Sequence, residues 1–230
     1  MKILKYLLLS SMLLMLPLST TAQQTKEKND TVTASLLDFR GINISTDVFG
    51  YAYSILEDYT SGEVALELNL GNKYYPIVEV GYGSCDFTDE TFGIHYKSAA
   101  PYYRMGLNYN FSNKRGKAPK KSFIYALGRF AFTRADYDVK TPAITDPVWG
   151  GESSLDLKGV NGFYSWIELG VGVNVKIWKQ LRMGWSIRYK ARVNQVTGSN
   201  SRMWYIPGFG NSRHTTFGGT YSIIYEIPFK

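Results

Sequence analysis

Two histidines, one cysteine and rows of alternating charge are the residues through which this 230-residue chain could do chemistry. His214 lies two residues after Ser212, and His95 follows the acids Asp89 and Glu90. A histidine beside a serine or a carboxylate at a loop edge is the material of a general base, as a lipid hydrolase or acyltransferase would need. Nothing in the sequence sets their distances, and two loop histidines arise as readily from composition, so no catalytic residue is assigned. Cys85 has no neighbouring histidine or basic group to favour its thiolate and reads as an idle thiol. One cysteine and two histidines also exclude a disulfide framework and a Cys/His zinc site, and no cofactor or metal is implied. Gly81-Tyr82-Gly83 and Gly170-Val171-Gly172 lack the helix that follows a phosphate cradle; they read as strand glycines that leave room for large side chains.

The charges are the stronger signal, and they dictate the elements that carry them. From Leu181 the odd positions are Leu181, Met183, Trp185, Ile187, Tyr189, Ala191 and Val193, while Arg182, Arg188, Lys190 and Arg192 occupy even ones. A period of two is a strand with one oily and one cationic face; a helix would scatter these charges around its circumference. Before it, Ile167, Leu169, Val171 and Val173 oppose Glu168 and Asn174, and at the end of the chain Tyr221, Ile223, Tyr225 and Ile227 oppose Ser222 and Glu226. Weaker alternation marks strands at about residues 39–47, 62–70, 74–85, 98–111 and 122–135. Their outward residues include Val64, Leu66, Val78, Val80, Met105, Leu107 and Phe130, which leaves Glu67, Glu79, Arg104 and Arg129 facing in. Phe49, Tyr51, Tyr53 and Ile55 alternate as well, so the first strand either runs on to about Leu56 or gives way to a segment folded over the barrel mouth.

Eight such segments predict an all-β fold, an eight-stranded antiparallel up-and-down transmembrane β-barrel. Each strand needs only about 9 to 11 residues and one apolar face to cross a bilayer. A lipocalin-like soluble barrel is the rival, but it requires an apolar interior and a polar exterior.

Export agrees with that reading. Residues 1–22 read as a signal peptide: a basic start with Lys2 and Lys5, an apolar run from Tyr6 to Leu18, and Ser19-Thr20-Thr21-Ala22 before cleavage at Gln23. A membrane anchor needs about 20 continuous apolar residues, whereas Ser10, Ser11 and Pro17 interrupt this run. Losing Lys2 and Lys5 lowers the formal charge from +7 to +5. Residues 23–38 form a flexible polar segment, and residues 39–230 the barrel.

The connections, roughly 48–61, 71–73, 86–97, 112–121, 136–160, 177–180 and 195–213, alternate long and short. Short turns belong on the periplasmic side, which puts both termini there. Aromatic belts follow, with Tyr74, Tyr75, Phe111, Phe123, Trp178 and Phe229 at the inner rim and Tyr82, Tyr102, Tyr103, Phe132, Tyr189 and Phe217 at the outer. Most acids, among them Asp47, Glu57, Asp58, Glu63, Asp86, Asp136 and Asp146, lie in or beside the long loops. They are either solvated or share divalent cations with lipid phosphates. Lys114, Arg115, Lys117, Lys120 and Lys121 crowd one turn instead, and basic residues so divided between turns and interior leave no nucleic-acid footprint.

The inward set opposes Glu67, Glu79, Glu168 and Glu226 to Arg104, Arg129, Arg182, Arg188, Lys190 and Arg192. Charges walled off from water must be paired, and an eight-stranded bore is just wide enough for side chains to fill. A structural salt-bridge plug is therefore preferred to an anion path. Counting outward from the turn at 177–180 sets Lys190 opposite Glu168.

Trp204-Tyr205-Ile206-Pro207-Gly208-Phe209 and the closing Tyr221-Ser222-Ile223-Ile224-Tyr225-Glu226-Ile227-Pro228-Phe229 resemble an uncharacterised family of small Gram-negative outer-membrane barrels, classed as a domain of unknown function. The likeness covers roughly residues 39–229, through Phe39-Arg40-Gly41, Lys73-Tyr74-Tyr75 with Glu79, and Gly162 to Gly170. It implies an outer-membrane location, contact with outer-membrane lipid and lipopolysaccharide, and barrel assembly machinery at insertion, to which a terminal strand ending in Phe229 is suited. It implies no activity. The sequence thus supports a structural or binding role in the cell envelope, with loops such as the one around Trp149 and Trp204-Tyr205-Ile206-Pro207 offered to an extracellular ligand. A narrow anion-leaning pore comes second, and an outer-leaflet lipid enzyme relying on His214 third.

Overall fold

A sheet that is apolar on one face and charged on the other can shelter the charges only by curling until its edges meet. The computed structural model describes residues 38–56, 59–112, 121–145, 150, 152–198 and 202–229. The signal, residues 23–37, Glu57, Asp58, Lys114, Arg115, Lys117, Lys120, Asp146 and Trp149 lie outside the described residues. Eight long strands form the wall: β1 (Phe39–Asp47), β2 (Tyr59–Leu70), β3 (Tyr74–Thr88), β4 (His95–Asn110), β5 (Ser122–Lys140), β8 (Asp156–Trp178), β9 (Leu181–Thr197) and β12 (Thr215–Pro228). Around the ring they run β1-β12-β9-β8-β5-β4-β3-β2, and β1 closes it antiparallel against both β12 and β2. Two-residue strands β6 (Ile144–Thr145) and β7 (Glu152–Ser153) pair in one loop, and β10 (Tyr205–Ile206) and β11 (Gly210–Asn211) in another. Closure leaves no barrel edge unpaired. No described helix is long and apolar enough to cross a membrane.

The expected strands are all present, but several run further toward the end that carries the long connections. Along β5 the outward residues are apolar from Ile124 to Phe132, a stretch as long as the roughly 9 to 11 residues a crossing strand needs. Beyond it the sense inverts: Arg134, Asp136 and Lys140 face out while Ala135, Tyr137 and Val139 are buried. β4 does the same, with Lys97 outside and Tyr96 and Ala100 inside. The alternation persists through the inversion because pairing requires only period two, not a fixed polarity. The result is a barrel with a charged interior along its apolar band and an aromatic core above it.

That core corrects the two-belt reading. Tyr102 is buried in the loop-end cluster with Tyr96, Tyr137, Tyr164 and Trp166, and Gly81 and Gly208 both leave room for its ring. Tyr75 and Phe123 are also interior, stacked at 5.5 Å near the turn end. Tyr82, Tyr103, Tyr189 and Phe217 are exposed on the outside as expected. Residues 48–56 do not extend the first strand but form a helix, α1 (Val48–Leu56), packed against β2 and β12. Asp47 starts it: its Oδ1 accepts the Phe49 N–H at 3.0 Å and the Tyr221 N–H at 3.0 Å, which caps the first turn and ties it to the wall.

Candidate functional site

Register assembles the site. Across β3–β4 Glu79 faces Arg104; across β5–β8 Glu168 faces Arg129; across β8–β9 Glu168 faces Lys190, the expected partner, through a bulge between Lys176 and Trp178 that shifts the register set at the turn. Residues remote in the chain thereby enter one layer. Glu79 is its hub, accepting Arg129 Nε at 3.1 Å, Arg104 Nη1 at 3.2 Å and Arg188 Nη1 at 3.1 Å. Glu168 lies 3.0 Å from Arg104 Nε as an ion pair, outside hydrogen-bond geometry, and accepts Arg188 Nη1 at 3.3 Å and Trp166 Nε1 at 2.7 Å. Glu63 pairs with Arg104 and accepts the Tyr102 hydroxyl at 3.0 Å, while the Arg104 guanidinium stands over the Tyr102 ring. Guanidinium groups suit such a layer because each presents a planar fork of donors to more than one carboxylate. Nearer the turn end, Arg182 Nε meets Glu226 at 2.9 Å, with Lys176 at 3.7 Å.

Two of the expected charges sit differently. Glu67 has no ion-pair partner among the described residues; it accepts Asn43 Nδ2 at 2.7 Å and bonds Asn108, because register sets Asn43 and Ile77 across from it rather than a cation. Arg192 is half-buried at the loop end, past the layer, and donates to Ser212 Oγ at 3.3 Å. Glu63, expected among the loop acids, is interior. The alternation Glu63-Val64-Ala65-Leu66-Glu67 carries that signal, since Glu63 shares the parity of Glu67.

The connection between β9 and β12 departs furthest from the sequence reading. Trp204-Tyr205-Ile206-Pro207 is not displayed as an external loop. Met203, Tyr205, Ile206, Pro207 and Phe209 are buried, and only Trp204 keeps substantial exposure. The β10–β11 hairpin enters the barrel mouth, where the Tyr96 hydroxyl donates to the Tyr205 carbonyl at 3.1 Å and Phe209 packs edge-on against Trp166 at 5.6 Å. Its tip is a type II turn: Phe209 N–H reaches Ile206 O at 3.0 Å, Pro207 supplies the fixed φ, and Gly208 has φ +79°. A Cβ on Gly208 would lie 2.5 Å from the Tyr102 ring. The Gly208 carbonyl points into the charge layer, accepting Lys190 Nζ at 2.8 Å and Arg104 Nη2 at 2.9 Å.

The histidines are not drawn together. His95 bonds Thr88 at 3.0 Å and approaches Asp86 at 3.6 Å rather than Asp89 or Glu90, and His214 is exposed, with Ser212 Oγ engaged by Arg192. Cys85 is buried in the loop-end aromatic cluster. Outer acids pair locally, Asp86 with Lys97 at 3.1 Å and Asp156 with Lys158 at 3.3 Å. Among the described residues no three His, Cys, Asp or Glu side chains gather as a metal site.

The chain belongs to the family described as "Domain of unknown function (DUF6048)", whose model matches residues 3–230. No curated protein matches it. Among solved structures, a major outer membrane protein from Thermus thermophilus is similar at 9% identity and a TM-score of 0.51, over 83% of this chain and 100% of that one. Ail, the attachment invasion locus protein of Yersinia pestis, solved with the heparin analogue sucrose octasulfate, aligns at 10% identity and a TM-score of 0.39 over 82% of this chain and 98% of that one. Neisserial surface protein A aligns at 11% and 0.38 over 83% and 97%. The first of these supports the barrel fold.

Proposed function

We propose that this member of the DUF6048 family is an exported outer-membrane barrel with a charged, largely closed bore, serving a structural or binding role in the cell envelope without catalysis. One observation carries the reading: on β9, Ile187 is 65% exposed and its neighbour Arg188 only 5%. Such a wall is stable against hydrocarbon, because the exposed apolar band replaces water-facing surface while the charges are satisfied inside. Side chains line the bore, and beside Asp47, Glu67, Asn174 and Ser222 they leave a cavity of about 30 Å³, enough to hold water but no larger solute. The hairpin stops the mouth. In this reading residues 1–22 are a cleaved signal, residues 23–38 a periplasmic lead and residues 39–230 the barrel. Both termini are periplasmic, while the barrel wall contacts lipopolysaccharide in the outer leaflet and the chain meets assembly machinery at insertion.

Two measurements test it. Unboiled protein should migrate differently from boiled protein in detergent gels and should remain insoluble without detergent. In planar bilayers it should show no stable single-channel steps. Reproducible anion-selective steps would instead establish a narrow pore, the second reading, which the placement of Lys190 and Arg104 beneath the mouth favours.

A further inference from the structure

Two cations converge on one uncharged oxygen at the mouth of this barrel. Lys190 Nζ and Arg104 Nη2 lie 2.8 Å and 2.9 Å from the Gly208 carbonyl, and Lys190 adds Phe209 O at 3.5 Å. The nearest carboxylate to Lys190, that of Glu168, is 4.0 Å away and is already engaged by Arg104 and Arg188. Within ion-pair distance, Arg104, Arg129, Arg188 and Lys190 share, among the described residues, only Glu63, Glu79 and Glu168. Asp47 and Glu67, the other interior acids nearby, take neutral donors instead: backbone N–H groups for Asp47, asparagines for Glu67. A peptide carbonyl thus stands where an anionic oxygen would make the stronger, charge-assisted pair of bonds.

We propose that the Pro207–Gly208 turn covers a binding site for a soluble oxyanion, a phosphate or carboxylate group entering from the loop end, which takes the place of the Gly208 carbonyl between Lys190 and Arg104. The inference rests on the closed-barrel reading and deepens it: the hairpin is a removable occupant of its own barrel's site. Its buried anchors, Met203, Ile206 and Phe209, favour the closed state, and apparent affinity is the intrinsic affinity multiplied by the open fraction. Loosening the hairpin must therefore tighten binding, the opposite of what a surface site would show.

The test uses the full mature protein in detergent, titrated with inorganic phosphate at constant ionic strength and followed by calorimetry. Phe209→Ala should bind phosphate at least tenfold more tightly than wild type. Adding Lys190→Gln to Phe209→Ala should reverse that gain. A Cβ on Gly83 lies 3.2 Å from Pro207 Cβ, close to disulfide spacing, so Gly83→Cys with Pro207→Cys in a Cys85→Ala background pins the turn to the wall. Oxidation of that variant should abolish binding and reduction restore it. Equal phosphate affinity in oxidised and reduced forms, retention of the gain after Lys190→Gln, or no binding by a Phe209→Ala protein that keeps its heat-dependent gel shift would each overturn the proposal. Lipopolysaccharide that competes with phosphate only in the reduced form would assign the site to a lipid phosphate and overturn the soluble one. Bilayer recordings on the oxidised variant separate the two readings: silence upholds the closed barrel whatever phosphate does, and steps from the pinned form would defeat it.

Discussion

Replacing Glu79 by Gln removes one negative charge and almost no volume from the centre of the charge layer. The carboxylate is 2% exposed and is met by Arg104, Arg129 and Arg188. Glutamine keeps one acceptor oxygen, but its amide nitrogen is a donor turned toward guanidinium donors. Removing one partner of a buried ion pair costs about 3 to 5 kcal/mol, chiefly because a charge is left uncompensated. Glu63 and Glu168 remain and take up part of the imbalance, so a loss near the lower limit, about 3 kcal/mol, is expected. In a domain of this size 1 kcal/mol shifts the midpoint by about 2 to 4 °C, which gives a fall of about 6 to 12 °C. Glu67→Gln is the internal control. Glu67 is similarly buried at 8%, but its partners are Asn43 and Asn108: Asn108, held by Arg129, keeps its bond to the glutamine oxygen, while Asn43 turns its Oδ1 to accept from the new amide. Its loss should stay below about 1 kcal/mol. The assay is the fraction of fast-migrating folded barrel in detergent against temperature, with urea unfolding in lipid vesicles as a second measure. Equal losses for the two variants would refute the claim that ion pairing, rather than burial of acids as such, holds the interior together.

Charge placed on the other face should fail differently. Ile187→Arg puts a cation on the apolar band at a cost of about 2 to 4 kcal/mol near mid-depth, read as lowered refolding yield into vesicles with less effect in detergent. Asp47→Ala removes the cap of α1 and should cost about 1 kcal/mol, visible as faster amide exchange in Val48–Leu56 and at Tyr221, whose N–H it also holds, with the other barrel strands unchanged. Gly208→Ala meets both a left-handed φ and the Tyr102 ring, and should expel the hairpin. Limited proteolysis would then cut near residues 202–212 while the heat-dependent gel shift persists.

The order of charge and grease along each strand is legible from sequence because a strand's side chains alternate with a fixed period. Ile187 outward and Arg188 inward, the parity of Glu79 and Arg104, and the ring of eight strands all follow from counting by twos. The meeting of Glu168 with Lys190 is not fixed by the turn alone: Trp178 pairs with Leu181, and a bulge between Lys176 and Trp178 shifts the register by one residue before it reaches Glu168. Parity says which face a residue occupies but not what fills the space before it. Tyr102, Tyr75 and Phe123 share the interior parity, yet as aromatic side chains they read equally well as belt residues. The inversion beyond Phe132 keeps the same period and so is invisible to a search for period alone. Glu67 lacks a cation because of what three other strands bring to its level, which no local pattern records. The entry of Pro207 and Gly208 into the mouth is decided by closure itself: only a closed wall creates the cavity, lined by small residues such as Ala100, Ala131 and Ala135, that a connection of this length can fill.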